Sequence, residues 1–136
     1  MLYVSNIEYS KVLNGESRTM QFASKEIFSY HADLCRTLAN PKRLMILAML
    51  GKREMGVGEM AEAMEIPLSN VSQHLSKLKS SGIVHDRKEA QNVYYSLADQ
   101  RMLDACNLIR SVLLDRIKKQ GLVAQEIDAE HLVIDD

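Results

Sequence analysis

The chain has 136 residues, 46% of them hydrophobic and 26% charged, which fits one globular domain and excludes a disordered, collagen-like or fibrous chain. Its longest uninterrupted apolar run, Leu44–Leu50, is seven residues against the ~20 that a membrane-crossing helix requires, and the opening MLYVSNIEYSK lacks the features of a signal peptide, so a cytoplasmic protein is expected. The net charge of −1 hides an asymmetry: residues 122 onward hold five acids and no base, which leaves residues 1–121 with a charge of +4.

Residues 1–20 mix Asn, Gly and Ser with scattered apolar residues and show no sustained period, so they read as an N-terminal arm. From Gln21, the residues Ile27, His31, Leu34 and Leu38 recur at helical spacing. That helix should end at Asn40-Pro41, because a residue before proline avoids the helical region. Pro41 suits the first turn of a second helix, Lys42 to Leu50, apolar on most faces and stopped by Gly51. A short helix, roughly Gly58 to Met64, precedes a break at Ile66-Pro67-Leu68. Ser69 is the expected N-cap of the next helix, which runs to Ser81-Gly82. Ile83 to Arg87 and Val93 to Leu97 have strand composition and flank a polar stretch, Lys88 to Asn92, predicting a hairpin. Asp99 should cap a final helix of about twenty residues, with Met102, Cys106, Ile109, Leu113 and Ile117 as one apolar stripe, ending at Gly121. Residues 21–120 therefore form the folded domain, and 121–136 an acidic C-terminal tail.

A helix, a tight turn, a second helix and a two-stranded ribbon make a mainly α fold with a small β-ribbon, the layout of a winged helix-turn-helix. On the second helix Val71, Leu75 and Leu78 share one face, while Ser69, Gln73, Ser76 and Lys77 point away and Asn70 lies to the side. Gln and Asn pair with adenine edges, Ser bonds bases or phosphates, and Lys77 suits a phosphate. His74, on the flank, suits a phosphate or structural role. No acid occurs from Ser69 through Gly82; Arg87, Lys88 and Gln91 fall in the ribbon region; and Arg36, Lys42, Arg43, Lys52 and Arg53 add further bases upstream. A solvated polar face is the usual reading of such a helix, but this clustering of bases favours double-stranded DNA.

The runs LCRTLANPKRLMILAML and VGEMAEAMEIPLSNVSQHLSKLKSSGIVHDRKEAQNVYYSL, with S-x-x-S-Q-H-L-x-x-L followed by G-I-V and a Y-Y strand, resemble the ArsR-type family of bacterial winged-helix repressors. The similarity covers about residues 30–119. It implies a homodimer joined through its first and last helices, operator DNA binding, and release when a ligand or oxidant alters the dimer. It places Ser69, Ser72, Gln73 and His74 on the recognition helix and Arg87 to Asn92 in the wing. The apolar stripe on the last helix agrees independently, since two such helices bury each other across a two-fold axis.

Arsenite- and soft-metal-sensing members of that family often carry E-L-C-V-C-D-L where this chain has Glu54-Met55-Gly56-Val57-Gly58-Glu59-Met60, so that site is absent. The zinc-sensing pattern of the last helix survives at most in Asp104 and Cys106, too few ligands for a tetrahedral site. Cys35 and Cys106, the only cysteines, lie one on each helix expected at the dimer interface. Oxidation or sulfur insertion linking them would shift the recognition helices, with Arg36 and His31 favouring a thiolate. Burial as packing residues is the competing reading, and sulfur-sensing relatives place a cysteine where this chain has Ala48. A weaker expectation is a soft-metal site of His31, Cys35 and Cys106, completed by Asp104 or His131; otherwise no cofactor is required. Met45/Met49 and Met60/Met64 fall at helical spacing as core. No nucleophile elbow, phosphate loop or H-E-x-x-H is present, so no enzyme is expected. A winged-helix module binding proteins instead of DNA is the reading of another class.

Overall fold

The computed structural model describes residues 22–121. The predicted arm, and the predicted tail beyond Gly121, lie outside them. The described residues divide into two units, one ending at Asn40 and the other opening at Pro41.

In the first unit, α1 spans Phe22–Leu38. The predicted stop before Pro41 is met: the helix closes at Leu38, and Asn40 N–H donates to the Leu38 carbonyl at 2.8 Å. Ile27 and Leu34 are half-buried, whereas Phe28, Tyr30, His31 and Cys35 are exposed.

The second unit opens with α2 (Pro41–Leu50), whose first residue is a proline because the missing N–H would be unpaired there anyway. Ile46 and Leu47 are fully buried. Gly51 follows where a Cβ would force Leu103 to move: it would lie 2.1 Å from Cδ2 of Leu103 and 3.3 Å from the Ala48 carbonyl oxygen. A two-residue strand, β1 (Met55–Gly56), leads directly into α3 (Val57–Met64). Glu65 ends α3 in the left-handed region (φ 55°, ψ 43°), and Ile66 N–H bonds back to the Ala61 carbonyl at 3.2 Å. That closing bond turns the chain sharply into α4 (Leu68–Ser80).

The predicted Ser69 cap is corrected by this turn. Pro67 is the N-cap, and its carbonyl accepts the N–H groups of Asn70 and Val71 at 3.0 and 3.3 Å. Ser69 falls inside the first turn, its side chain exposed. After α4, Gly82 takes φ 73° and Ile83 N–H reaches the Leu78 carbonyl at 2.9 Å, feeding the ribbon.

The ribbon is longer than its composition suggests. β2 (Val84–Glu89) and β3 (Asn92–Leu97) pair antiparallel from Val84↔Leu97 to Glu89↔Asn92. Only Ala90-Gln91 forms the turn, with Ala90 at φ 55°. The predicted polar loop from Lys88 to Asn92 thus lies mostly in the ladder, since an exposed ribbon needs backbone pairing but no apolar alternation. β1 adds a third strand through Met55↔Tyr95 and Gly56↔Tyr94, giving the order β1-β3-β2.

The last helix, α5 (Gln100–Lys119), is capped as expected: Asp99 Oδ1 accepts the Arg101 N–H at 2.9 Å. Its predicted stripe of Met102, Cys106, Ile109, Leu113 and Ile117 is unevenly covered. Leu103 and Cys106 are buried, with Leu114 and Ile117 half-buried on the same side. Leu108, Ile109, Val112 and Leu113 are 68, 70, 55 and 51% exposed. Ile109 and Leu113 keep their place beside Cys106 at 100° per residue, Leu113 about 20° and Ile109 about 60° from it, yet both are exposed where Cys106 is buried.

The core of the unit joins α2 (Ile46, Leu47, Leu50), α3 (Met60), α4 (Val71, Leu75, Leu78) and the start of β2 (Val84) to Leu103 of α5. It fixes α4 by one face and leaves the opposite face to solvent.

Candidate nucleic-acid interface

Along α4 the buried positions Val71, Leu75 and Leu78 recur at spacings of four and three, so the intervening polar side chains are turned outward. Ser69, Ser72, Gln73, Ser76 and Lys77 are all exposed, and Lys77 makes no ion pair among the described residues. A row of hydroxyl, amide and ammonium groups is thereby held on a rigid helix whose other side is locked into the core. Asn70 differs: it is half-buried, and its Oδ1 is enclosed without a hydrogen-bond partner among the described residues.

His74 sits between the two faces. Arg43 Nε–H donates to its Nδ1 at 3.3 Å, which assigns the ring proton of the neutral form to Nε2. Burial, reinforced by the Arg43 and Lys42 cations, pushes the imidazole below its ordinary value. At neutral pH His74 is therefore an uncharged link between α4 and α2, its Nε2–H remaining as a donor.

The wing is braced at two points. Lys79, in the last turn of α4, bonds Asp86 of β2 at 2.8 Å. The contact holds the Asp86 carboxyl below its usual range and raises the Lys79 ammonium. Arg87 is gripped more firmly: its Nε lies 2.8 and 2.9 Å from the two Glu54 oxygens, Nη2 is 2.6 Å from Glu54 Oε1, and Nη1 is 2.8 Å from Glu89 Oε2. The guanidinium carbon stands 4.7 Å from the centroid of the Tyr94 ring. Lys88 and Gln91 are exposed, and Lys88 makes no ion pair among the described residues. Glu54, Lys79, Asp86 and Tyr94 were not anticipated at this site. Glu54 and Arg87 are 33 positions apart, and only the register of the short β1 brings them together.

The two cysteines differ in setting: Cys35 is exposed on α1, in the first unit, and Cys106 is buried on α5, in the second. His31 is one turn before Cys35. Among the described residues no three His, Cys, Asp or Glu side chains gather as a metal site, and no described helix is long and apolar enough to cross a membrane.

Residues 38–87 match the model of a helix-turn-helix domain. The nodulation protein NolR of Rhizobium meliloti is 39% identical over 95 residues, which cover 68% of this chain and 78% of that protein. The transcriptional activator HlyU of Vibrio cholerae is 46% identical over 65 residues, 48% of this chain and 60% of that protein. The structure of reduced HlyU superposes with a TM-score of 0.60 at 34% identity, covering 68% of this chain and 97% of that one. A homodimeric winged helix-turn-helix DNA-binding domain from Mycobacterium bovis gives a TM-score of 0.63 at 29% identity, covering 71% and 90%.

Proposed function

The chain belongs to the ArsR family of winged helix-turn-helix transcriptional regulators, and on that premise we propose that it binds operator DNA as a homodimer and represses transcription until an inducing signal releases it. The observation that carries this reading is the division of α4. Its apolar face is fully buried, and its opposite face presents Ser69, Ser72, Gln73, Ser76 and Lys77 without an acid. Such a helix offers base-pairing groups at the width of a major groove, and the wing beside it offers Lys88 and Gln91 to the backbone. In this reading the protein works in the cytoplasm, where bacterial DNA lies, needs no cofactor and catalyses no reaction.

Dimerisation is supported by the exposed apolar residues of α5 and of α1, and by the homodimeric state described for the M. bovis domain. The inducing signal is oxidation or persulfidation at Cys35 and Cys106. Exposed Cys35 is open to an oxidant, whereas modification of Cys106 would disturb a buried face of α5. That HlyU is described in a reduced form supports a redox signal. A soft metal held by His31, Cys35 and Cys106 has less behind it.

Fluorescence anisotropy on the protein's own upstream DNA tests both statements. Binding should be tight and salt-dependent, weaken after diamide or polysulfide, and lose that response in Cys35→Ser or Cys106→Ser. Binding indifferent to salt would replace the repressor by a protein-interaction module, and binding indifferent to oxidant would make the cysteines packing residues.

A further inference from the structure

The wing carries an arginine already engaged through all three of its nitrogens. Arg87 places Nε and Nη2 on Glu54 and Nη1 on Glu89, and the Tyr94 ring sits against the guanidinium. One cation held by two carboxylates gives the cluster a formal charge of −1, so a phosphate approaching it meets repulsion instead of a free arginine. The two carboxylates are unequally fixed: the side chain of Glu54 is 32% exposed, that of Glu89 67%. Both pairs remain at the surface, where an ion pair is weak enough to be exchanged for another anion of matching geometry.

We propose that Glu54 and Glu89 form a carboxylate clamp that withholds Arg87 from DNA phosphates and so sets how tightly the wing grips duplex DNA irrespective of sequence. The proposal rests on the DNA-binding reading above. Random DNA, which lacks the contacts made by α4, has less with which to displace the carboxylates. The clamp thereby suppresses non-specific binding more than binding to an operator.

The test uses the full-length chain and a random-sequence duplex, with anisotropy followed from low to moderate salt, and thermal melts to show that each variant is folded. Glu54→Gln should tighten random-duplex binding about two- to fivefold, within the worth of an exposed ion pair, and steepen the logarithmic salt slope by about one contact. Glu89→Gln should act in the same direction and serves if Glu54→Gln fails to fold. Glu62→Gln, at an exposed position of α3, removes the same charge elsewhere and should have a smaller effect. In an Arg87→Ala background Glu54→Gln should add nothing, because its action passes through Arg87. An equal gain with and without Arg87, or unchanged or weaker binding by folded clamp variants, overturns the proposal. Failure of the wild-type chain to bind any duplex overturns the DNA-binding reading itself.

Discussion

Gln73 lies on the solvent side of α4, with Val71 and Leu75 buried on either side of it in sequence. Its amide is held by a backbone that the core fixes, which suits bidentate pairing with an adenine edge. Gln73→Ala should weaken operator binding by ~1–3 kcal/mol while leaving random-DNA binding nearly unchanged. Competition titration with both duplexes checks this, and an unaltered preference would remove Gln73 from the reading face. His74, next to it, could be placed from sequence on the flank of the helix but not beside Arg43, because that contact depends on how α2 crosses α4. The same holds for Asn70, whose spacing puts it at the side while only the packing encloses its Oδ1.

Among the elements, α5 shows where periodicity serves and where it stops. Its start was legible because Asp99 is a strong capping residue followed by a polar first turn. The Arg101 side chain and backbone N–H hold the Asp99 carboxyl down at about 2, against 3.8 for the free group. The native helix thus favours the ionised cap, a contribution present above about pH 4 and lost as pH falls from there through about 2. The melting temperature of Asp99→Ala should therefore lie below wild type at pH 5, and the gap should close by pH 2. Circular dichroism melts across that range decide it, and a gap that persists at pH 2 would assign the effect to something other than the charged cap. The stripe of α5 is legible from its spacing, which keeps Met102, Cys106, Ile109, Leu113 and Ile117 within about 80° of arc, whereas which of them the core covers depends on what the rest of the unit packs against the helix. β1 was missed for a different reason: two residues offer no alternation, and its existence depends on Tyr94 and Tyr95 arriving from 38 to 40 positions downstream.

For the molecule as a whole, the order of helices, turn and ribbon followed from punctuation: Pro41, Gly51, Pro67, Gly82 and Gly121 each stand at an element boundary or within two residues of one. What pattern could not supply were the links between distant segments, Arg43 to His74, Lys79 to Asp86 and Arg87 to Glu54, which set the electrostatics of the interface. A two-fold dimer built on α1 and α5 would carry its α4 helices about one DNA turn apart, ~34 Å, on an imperfect palindrome. Ile109→Glu, on the exposed side of α5, should leave the monomer folded but shift sedimentation from dimer to monomer and abolish operator binding at nanomolar protein. A dimer surviving that change would move the interface off this face.

The two-sided α5 has a further consequence, in how the protein responds to its own abundance. In the proposed dimer, Leu103 and Cys106 of the helix close the monomer's core while its exposed apolar residues meet a second copy, so association and folding would stabilise the same twenty-residue element. Mass action then ties thermal stability to protein concentration. With such a dimer, a cell that makes only a few copies would hold a pool of separate, less stable chains, and one that makes many a store of assembled, longer-lived dimers. Copy number would thus govern both how many binding units exist and how long each one lasts.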